Sequence, residues 1–284
     1  MRVADTPLLV VGGTGRLASS LRRIWPTVLP GGLRPVWQAR RVASGFVLWD
    51  VLTSPCPQFG VGGMILCLAG VTRGDASALA LNVDLAMAAC QAAADQGARH
   101  VFLASSAAVY GPSDHPLDER AATDPPTAYG QAKLVMERAA LAWQRPAGLG
   151  LTILRIGNVA GADSLLGAMR PGIPVVLDPV AGTNQGPVRS YIGPTTLSAV
   201  LARLAGMAAV GKPLPEVLNV AATAPVSMAA LLDAAGQDWR FGAPRVGVIP
   251  CVVLNTKKLL AMCPLPPAAG LPDVMVAQWR GGPC

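Results

Sequence analysis

The chain has 284 residues, 14% of them charged and 52% hydrophobic, with a formal net charge of +7. That length admits one large α/β domain or two small ones, and the low charge with abundant apolar residues excludes a disordered chain. The cationic residues are nearly all Arg and lie scattered, without a Lys/Arg-rich block, which excludes a nucleic-acid tail and leaves an anionic small ligand or plain surface solubility as the role of the positive charge.

In chain order, PLLVVGG (7–13) reads as a buried strand and TGRLASSLRRIW as the helix after it. RPVWQA (34–39), GFVLWD (45–50) and GGMILCLAG (62–70) are further strands. SALALNVDLAMAACQAAADQG (77–97) is a long Ala-rich helix with a Gly stop, followed by the strand RHVFLASS (99–106). AYGQAKLVMERAALAWQ is a helix and LGLTILRIG (149–157) a strand. Strands almost free of polar residues, separated by helices, imply an α/β fold with a doubly wound parallel sheet covered on both faces. Beyond about residue 160, Pro and Gly become frequent; there PTTLSAVLARLAGMAA (194–209) and VSMAALLDAAG (226–236) read as helices and VLNVA (217–221) as a strand. The simplest organisation is a sheet domain over 1–160, with 187–225 returning to it. A small interleaved C-terminal lobe then comprises 161–186 and 226–284.

Six cysteines, Cys56, Cys67, Cys90, Cys251, Cys263 and Cys284, make no C-x-x-C pair. Cys67 and Cys90 fall in apolar elements and read as buried thiols. With only His100 and His115, and no ligand spacing, a metal site is not expected. The pattern suits a reducing, cytoplasmic compartment. The run LLVVGG is too short for a signal peptide, and no uninterrupted apolar stretch marks a membrane span.

The first strand runs into G-G-T-G-R-L-A, Gly12 to Ala18. Glycines at this junction let the backbone approach a pyrophosphate, and the next helix aims its N–H groups and positive dipole end at it. Gly12, Gly15, Arg16 and Leu17 are therefore candidate cofactor contacts. The match is weak alone and gains weight from its place between the first strand and first helix. An acidic residue after the second strand would read a ribose 2′-hydroxyl; this chain has VWQARR, and Arg40 and Arg41 suit a 2′-phosphate. The cofactor expected is NAD(P), with NADP favoured over NAD. Asp50, after the third strand, is the candidate for adenine contact.

In Y-G-Q-A-K, Tyr129 and Lys133 lie four apart and share one helical face. An ammonium beside a phenol favours the phenolate, and such a Tyr serves as acid or base near neutral pH. The strand ending FLASSAAVYG supplies Ser105 and Ser106 at its carboxyl edge, where open α/β sheets bind ligands.

Together these pieces resemble the short-chain dehydrogenase/reductase superfamily, and within it the NAD-dependent epimerase/dehydratase family of nucleotide-sugar enzymes. The resemblance covers roughly residues 8–160: GGTGRLA, the strand end Leu68 to Thr72, Asn82 in LNVDLA, S-S-A-A-V-Y-G (Ser105 to Gly111), Y-G-Q-A-K, and L-R-I-G-N-V-A-G (Leu154 to Gly161). It implies a Rossmann-type fold over the first domain. It implies that Ser106 holds the reacting oxygen, that Tyr129 is the acid/base, and that Lys133 orients the ribose and depresses the phenol. Leu68, Ala69 and Gly70 would pass beneath the cofactor, with Asn82 ordering that loop. Thr72, Tyr110, Asn158 and Arg189 would face the substrate, Arg189 gripping a sugar-nucleotide phosphate. A homodimer through the helices at 77–97 and 124–145 is a further implication.

Two departures stand out. Gly193-Pro194-Thr195-Thr196 replaces the family's His-Val-x-Asp, and Ser106-Ala107-Ala108 stands where dehydratases carry Thr-Asp-Glu. The second argues against 4,6-dehydratase chemistry. The expectation is an NAD(P)-dependent oxidoreductase or epimerase acting on a small molecule, a nucleotide-sugar-like substrate, with neither nucleic acid nor membrane as partner. The alternative is a non-enzymatic dinucleotide-binding sensor or assembly factor on the same fold.

Overall fold

The structure, a computed structural model, describes residues 5–183 and 185–281; Cys284 lies outside them. The chain opens with β1 (Thr6–Val11), α1 (Arg16–Val28), β2 (Leu33–Ala39), β3 (Val47–Leu48), β4 (Met64–Cys67), α2 (Ala76–Asp95) and β5 (His100–Ser106). It continues through α3 (Ala128–Ala142), β6 (Gly150–Ile156), β7 (Asn158–Val159), β8 (Val175–Leu177), β9 (Val188–Ile192), α4 (Pro194–Ala209) and β10 (Val217–Val220). Last come β11 (Pro225–Ser227), α5 (Met228–Ala234), β12 (Trp239–Phe241), β13 (Cys251–Val252), α6 (Lys257–Met262) and α7 (Pro272–Arg280).

A seven-stranded sheet has the order β10-β6-β5-β4-β1-β2-β3, and β1 pairs in parallel with both β2 and β4. The central strands read as unbroken apolar runs because both faces are covered. Leu8, Leu9, Val10 and Val11 are all 0% exposed. Ala86, Ala89, Cys90 and Ala93 of α2 join Leu9, Ile65, Leu103 and Ile153 in one core cluster. Among the described residues α2 is the one helix long and apolar enough, by length and composition, to cross a membrane. The Asp75 carboxylate caps α2 by accepting from the Ala78 N–H at 2.8 Å, and the Thr127 hydroxyl caps α3 by accepting from the Gly130 N–H at 3.1 Å.

The described chain divides into two compact units. Of the described residues, the first comprises those up to Val109, Thr123–Arg155 and Ser198–Leu218; the second comprises Tyr110–Ala122, Ile156–Leu197 and those from Asn219 onward. This differs from the boundaries expected from sequence, since 110–122, 156–160, 187–197 and 219–225 fall in the second unit. The reason lies in pairing: β9 bonds to β7, β11 and β13 in a separate four-stranded sheet. The second unit has its own core, in which Tyr191, Leu231 and Met275 are all 0% exposed. The expected strand at 45–50 is two residues long, and the helix expected at 226–236 begins with strand residues of β11 before α5 starts at Met228.

Candidate active site

The glycine turn follows β1 as expected, and its geometry explains its composition. Gly12 has φ 81°, and a Cβ there would stand 2.7 Å from the Ala69 nitrogen, so only glycine fits. The side chain of Gln38 closes the turn from within. Its carbonyl oxygen accepts from the Gly12 N–H at 2.7 Å while its Nε2 donates to the Trp49 carbonyl at 2.5 Å. Helix α1 starts at Arg16 with Gly15 as an N-cap that supplies no side-chain bond, and its first turn carries no acid. Thr14, Gly15 and Arg16 are exposed and Leu17 half-buried. An uncapped helix start without acidic residues fits the pyrophosphate of a dinucleotide, which the first N–H groups and the dipole would hold. Arg40 and Arg41 follow β2 and are exposed. Asp50 accepts from the Leu52 N–H at 3.3 Å in the turn after β3.

The segment after β4 runs through Leu68, Ala69 and Gly70 to the exposed Thr72. Buried Asn82 clasps it, its Oδ1 accepting from the Val71 N–H at 3.2 Å and its Nδ2 donating to the Val71 carbonyl at 2.9 Å. At Gly70 a Cβ would meet Asn82 Oδ1 at 2.9 Å and Lys133 Nζ at 3.1 Å. The loop thus lies against the lysine on α3.

Three consecutive residues of β5 are laced to one face of α3. The Ala104 carbonyl accepts from Lys133 Nζ at 2.8 Å. The Ser105 hydroxyl donates to Glu137 Oε1 at 2.5 Å. Ser106 shares a hydrogen bond with Tyr129. The spacing 129, 133, 137 makes this one stripe of the helix. Gly130 lets α3 come this close, because a Cβ there would collide with the Ala108 carbonyl. Behind the stripe, Glu137 takes a two-pronged ion pair from Arg155 of β6, with Nη2 to Oε2 at 2.7 Å and Nε to both oxygens at 3.1 Å. Ser105 is therefore committed to Glu137, about two helical turns along the stripe from Tyr129.

The electrostatics correct one expectation. Lys133 does not depress the Tyr129 phenol: burial pushes that phenol above its usual value, and the Ser106 hydrogen bond opposes the rise. Burial lowers Lys133 itself to about 8, with Cys67 and Glu137 pulling the other way. The ammonium is turned to the Ala104 carbonyl and the Gly70 loop, so no direct phenol–ammonium contact supplies the expected stabilisation of a phenolate.

In the second unit two expected substrate residues are otherwise engaged. Tyr110 is 1% exposed, and its hydroxyl donates to Asn219 Oδ1 at 2.9 Å and to the Asp118 carbonyl at 3.0 Å. It is a core residue rather than a wall. Arg189 donates through Nη1 to the Val188 carbonyl at 2.8 Å and the Pro250 carbonyl at 3.3 Å, and through Nη2 to the Ile249 carbonyl at 2.8 Å. Its guanidinium secures the 249–250 backbone instead of standing open for a phosphate. Asn158 bonds to the Tyr191 hydroxyl, which donates to Asp163 Oδ2 at 2.9 Å. Arg189 also borders a cavity of about 380 Å³ lined mainly by Leu165, Val175, Leu177, Val248 and Ile249.

Sequence reading missed Gln38, Glu137 and Arg155. The spacing of Glu137 four residues after Lys133 was a visible signal, and so was an Arg inside the apolar run TILRI, where a charge needs a partner. Gln38 had no such signal. Among the described residues no group of three or more His, Cys, Asp or Glu could hold a metal ion, and Cys56, Cys67, Cys90, Cys251 and Cys263 are free thiols.

A seven-stranded sheet with a glycine turn after its first strand, and a Ser–Tyr–Lys set at the carboxyl end of β5, defines a Rossmann-type α/β protein. Residues 61–176 match the model of the NAD dependent epimerase/dehydratase family, so the resemblance drawn from the motifs holds. Similar curated proteins are UDP-glucose 4-epimerases. That of Corynebacterium glutamicum is 36% identical over 109 residues, covering 37% of this chain and 33% of that protein. That of Lactobacillus helveticus is 39% identical over 85 residues, covering 29% and 26%. The chain's match thus spans a third or less of these relatives' own length. Among solved structures, MoeE5 in complex with UDP-glucose and NAD is 21% identical with a TM-score of 0.75, covering 96% of this chain and 97% of that one. The UDP-glucose 4-epimerase of Thermus thermophilus, in complex with NAD, is 19% identical with a TM-score of 0.71, covering 97% and 99%. These likenesses establish the fold.

Proposed function

We propose that this protein is an NAD(P)-dependent oxidoreductase or epimerase acting on a hydroxyl or keto carbon of a nucleotide-sugar-like substrate. The observation that carries the reading is the lacing of β5 to α3, which sets Ser106, Tyr129 and Lys133 together next to the Gly70 loop. A nicotinamide dinucleotide, when bound, would supply hydride transfer; Gly12, Gly15 and the start of α1 would hold its pyrophosphate, and Lys133 its ribose. Ser106 donates to the substrate oxygen, and Tyr129 moves its proton. Burial keeps the phenol protonated, which suits Tyr129 as the acid that delivers a proton to a carbonyl oxygen during reduction. Arg40 and Arg41 support NADP over NAD. The substrate class is supported by the relatives that act on UDP-sugars. Exposed Leu81, Val135 and Leu141 on α2 and α3 support a homodimer through these helices. Free thiols accord with a cytoplasmic setting.

The test is Tyr129→Phe, assayed for oxidation or reduction of the cofactor over a panel of keto- and hydroxy-sugar nucleotides. Loss of turnover by about 10²–10⁴-fold with cofactor affinity retained supports the reading. Full retention of the biological activity in that variant would instead establish a non-enzymatic dinucleotide-binding protein.

A further inference from the structure

The first unit holds a cavity of about 380 Å³, lined by α1 from Arg22 onward, the turn that follows, β2 and Asp5. None of Gly12, Gly15, Arg16, Arg40 or Arg41 lines it. Its aromatic wall is held in place. Trp25 is 2% exposed, and its indole N–H donates to the Ser198 carbonyl at 3.0 Å. Trp37 is half-buried and packs on Trp25 with ring centroids 5.5 Å apart. Trp37 Nε1 has no hydrogen-bond partner among the described residues. No buried side-chain nitrogen among them lacks one, so this N–H is open to solvent. The rim is polar: Asp5 and Arg22 are both exposed. The Arg22 guanidinium lies 4.3 Å from the Phe46 ring centroid, which restrains it. Among the described residues neither Asp5 nor Arg22 forms an ion pair.

An apolar wall with an open polar rim selects a ligand that has one apolar face and polar edges. A carboxylate only accepts hydrogen bonds, whereas a guanidinium and an indole N–H only donate. A hydroxyl does both, so a ring bearing several hydroxyls satisfies all three groups at once. A wholly apolar ligand would desolvate the rim without return. An extended peptide would need backbone donors, and Pro26, Pro30 and Pro35 of the lining have none. We infer that this cleft is a saccharide-binding site: the C–H face of a pyranose ring stacks on Trp37, and its hydroxyls bond to Asp5, Arg22 and the Trp37 N–H. The site is separate from the glycine turn and does not depend on the dinucleotide reading of that turn.

The experiment is calorimetric titration of the full chain, wild type and variants, each checked by thermal melting. The probes are the methyl glycosides of glucose, galactose and N-acetylglucosamine, the trisaccharides cellotriose and chitotriose, and triproline and adenosine as non-saccharide ligands. At least one saccharide is expected to bind saturably to the wild type. Trp37→Leu should weaken it at least about tenfold, as loss of an aromatic anchor does. Asp5→Asn and Arg22→Gln should each weaken it roughly two- to tenfold, the range for one hydrogen bond. NADPH affinity should be unchanged in all three variants. A trisaccharide bound more tightly than its methyl glycoside identifies the ligand as the end of a glycan; equal affinities identify a free sugar. If Trp37→Leu fails to fold, the two rim variants, both at exposed positions, carry the test. The inference is overturned if no saccharide of the panel binds, or if triproline or adenosine binds more tightly than every saccharide. It is equally overturned if saccharide affinity survives Trp37→Leu, or both rim variants, undiminished, because the sugar is then held elsewhere.

Discussion

Replacing Glu137 with Ala tests whether the interior of the first unit is built around one ion pair. Glu137 is 1% exposed and Arg155 6%. The carboxylate receives Arg155 through Nη2 at 2.7 Å and Nε at 3.1 Å, and the Ser105 hydroxyl at 2.5 Å. Removing it leaves a buried guanidinium without that carboxylate, at a cost of about 3–5 kcal/mol. The hydroxyl of Ser105 loses its acceptor as well, within the same order of magnitude. Against a typical domain stability of about 5–15 kcal/mol the loss is a large fraction. Urea denaturation followed by tryptophan fluorescence reads it, since Trp25 and Trp49 belong to the same unit as Glu137. The midpoint should fall with the slope unchanged. The charge-free double variant Glu137→Leu/Arg155→Met should recover most of the loss, because an apolar pair of similar volume is roughly equivalent to a buried ion pair. A single-variant cost below about 1 kcal/mol, or a double variant as weak as the single, would refute the reasoning.

The remaining predictions concern pH. Lys133 titrates near 8 against 10.5 for an ordinary lysine, so cofactor affinity that depends on its ammonium should fall as pH rises through about 8, read by titration between pH 7 and 9.5; a flat profile counts against its role. The same shift has an opposite sign for stability: between about 8 and 10.5 the unfolded chain binds more protons, so Lys133's own contribution rises with pH. His100 is 7% exposed, its Nε2 is 3.0 Å from the Thr152 hydroxyl, and burial lowers it from 6.5 to about 4. Its neutral form is favoured in the fold, so stability is lost as pH falls from 6.5 towards 4, by up to about 3 kcal/mol. Melting temperatures at pH 7 and pH 4.5 should converge in His100→Asn relative to wild type.

The central part of the fold was legible because its signals are local. LLVV can be covered only on both faces, the glycines of GGTG announce a turn, and four-residue spacing places Tyr129 and Lys133 on one side of a helix. Expectations at 194–209 and 217–221 likewise coincide with α4 and β10. The second unit was mostly illegible. Its strands β7, β8, β12 and β13 are two or three residues long, too short to show a period, and they exist because partners come from distant parts of the chain: β9 for β7 and β13, and β8 and β12 for each other.

The residue types at the site follow from sequence, since hydroxyl, phenol and ammonium chemistry belongs to the side chains themselves. Their states do not. Whether a phenol meets an ammonium, whether Arg189 faces a ligand or its own backbone carbonyls, and whether Tyr110 is a wall or a core residue depend on contacts between segments up to about a hundred residues apart, as in Tyr110 with Asn219. Burial then sets the proton affinities, because a low-dielectric surround acts on a charge through everything packed about it. The chain's linear order names the groups; their apposition and desolvation, created only on folding, determine which of them remain open to chemistry.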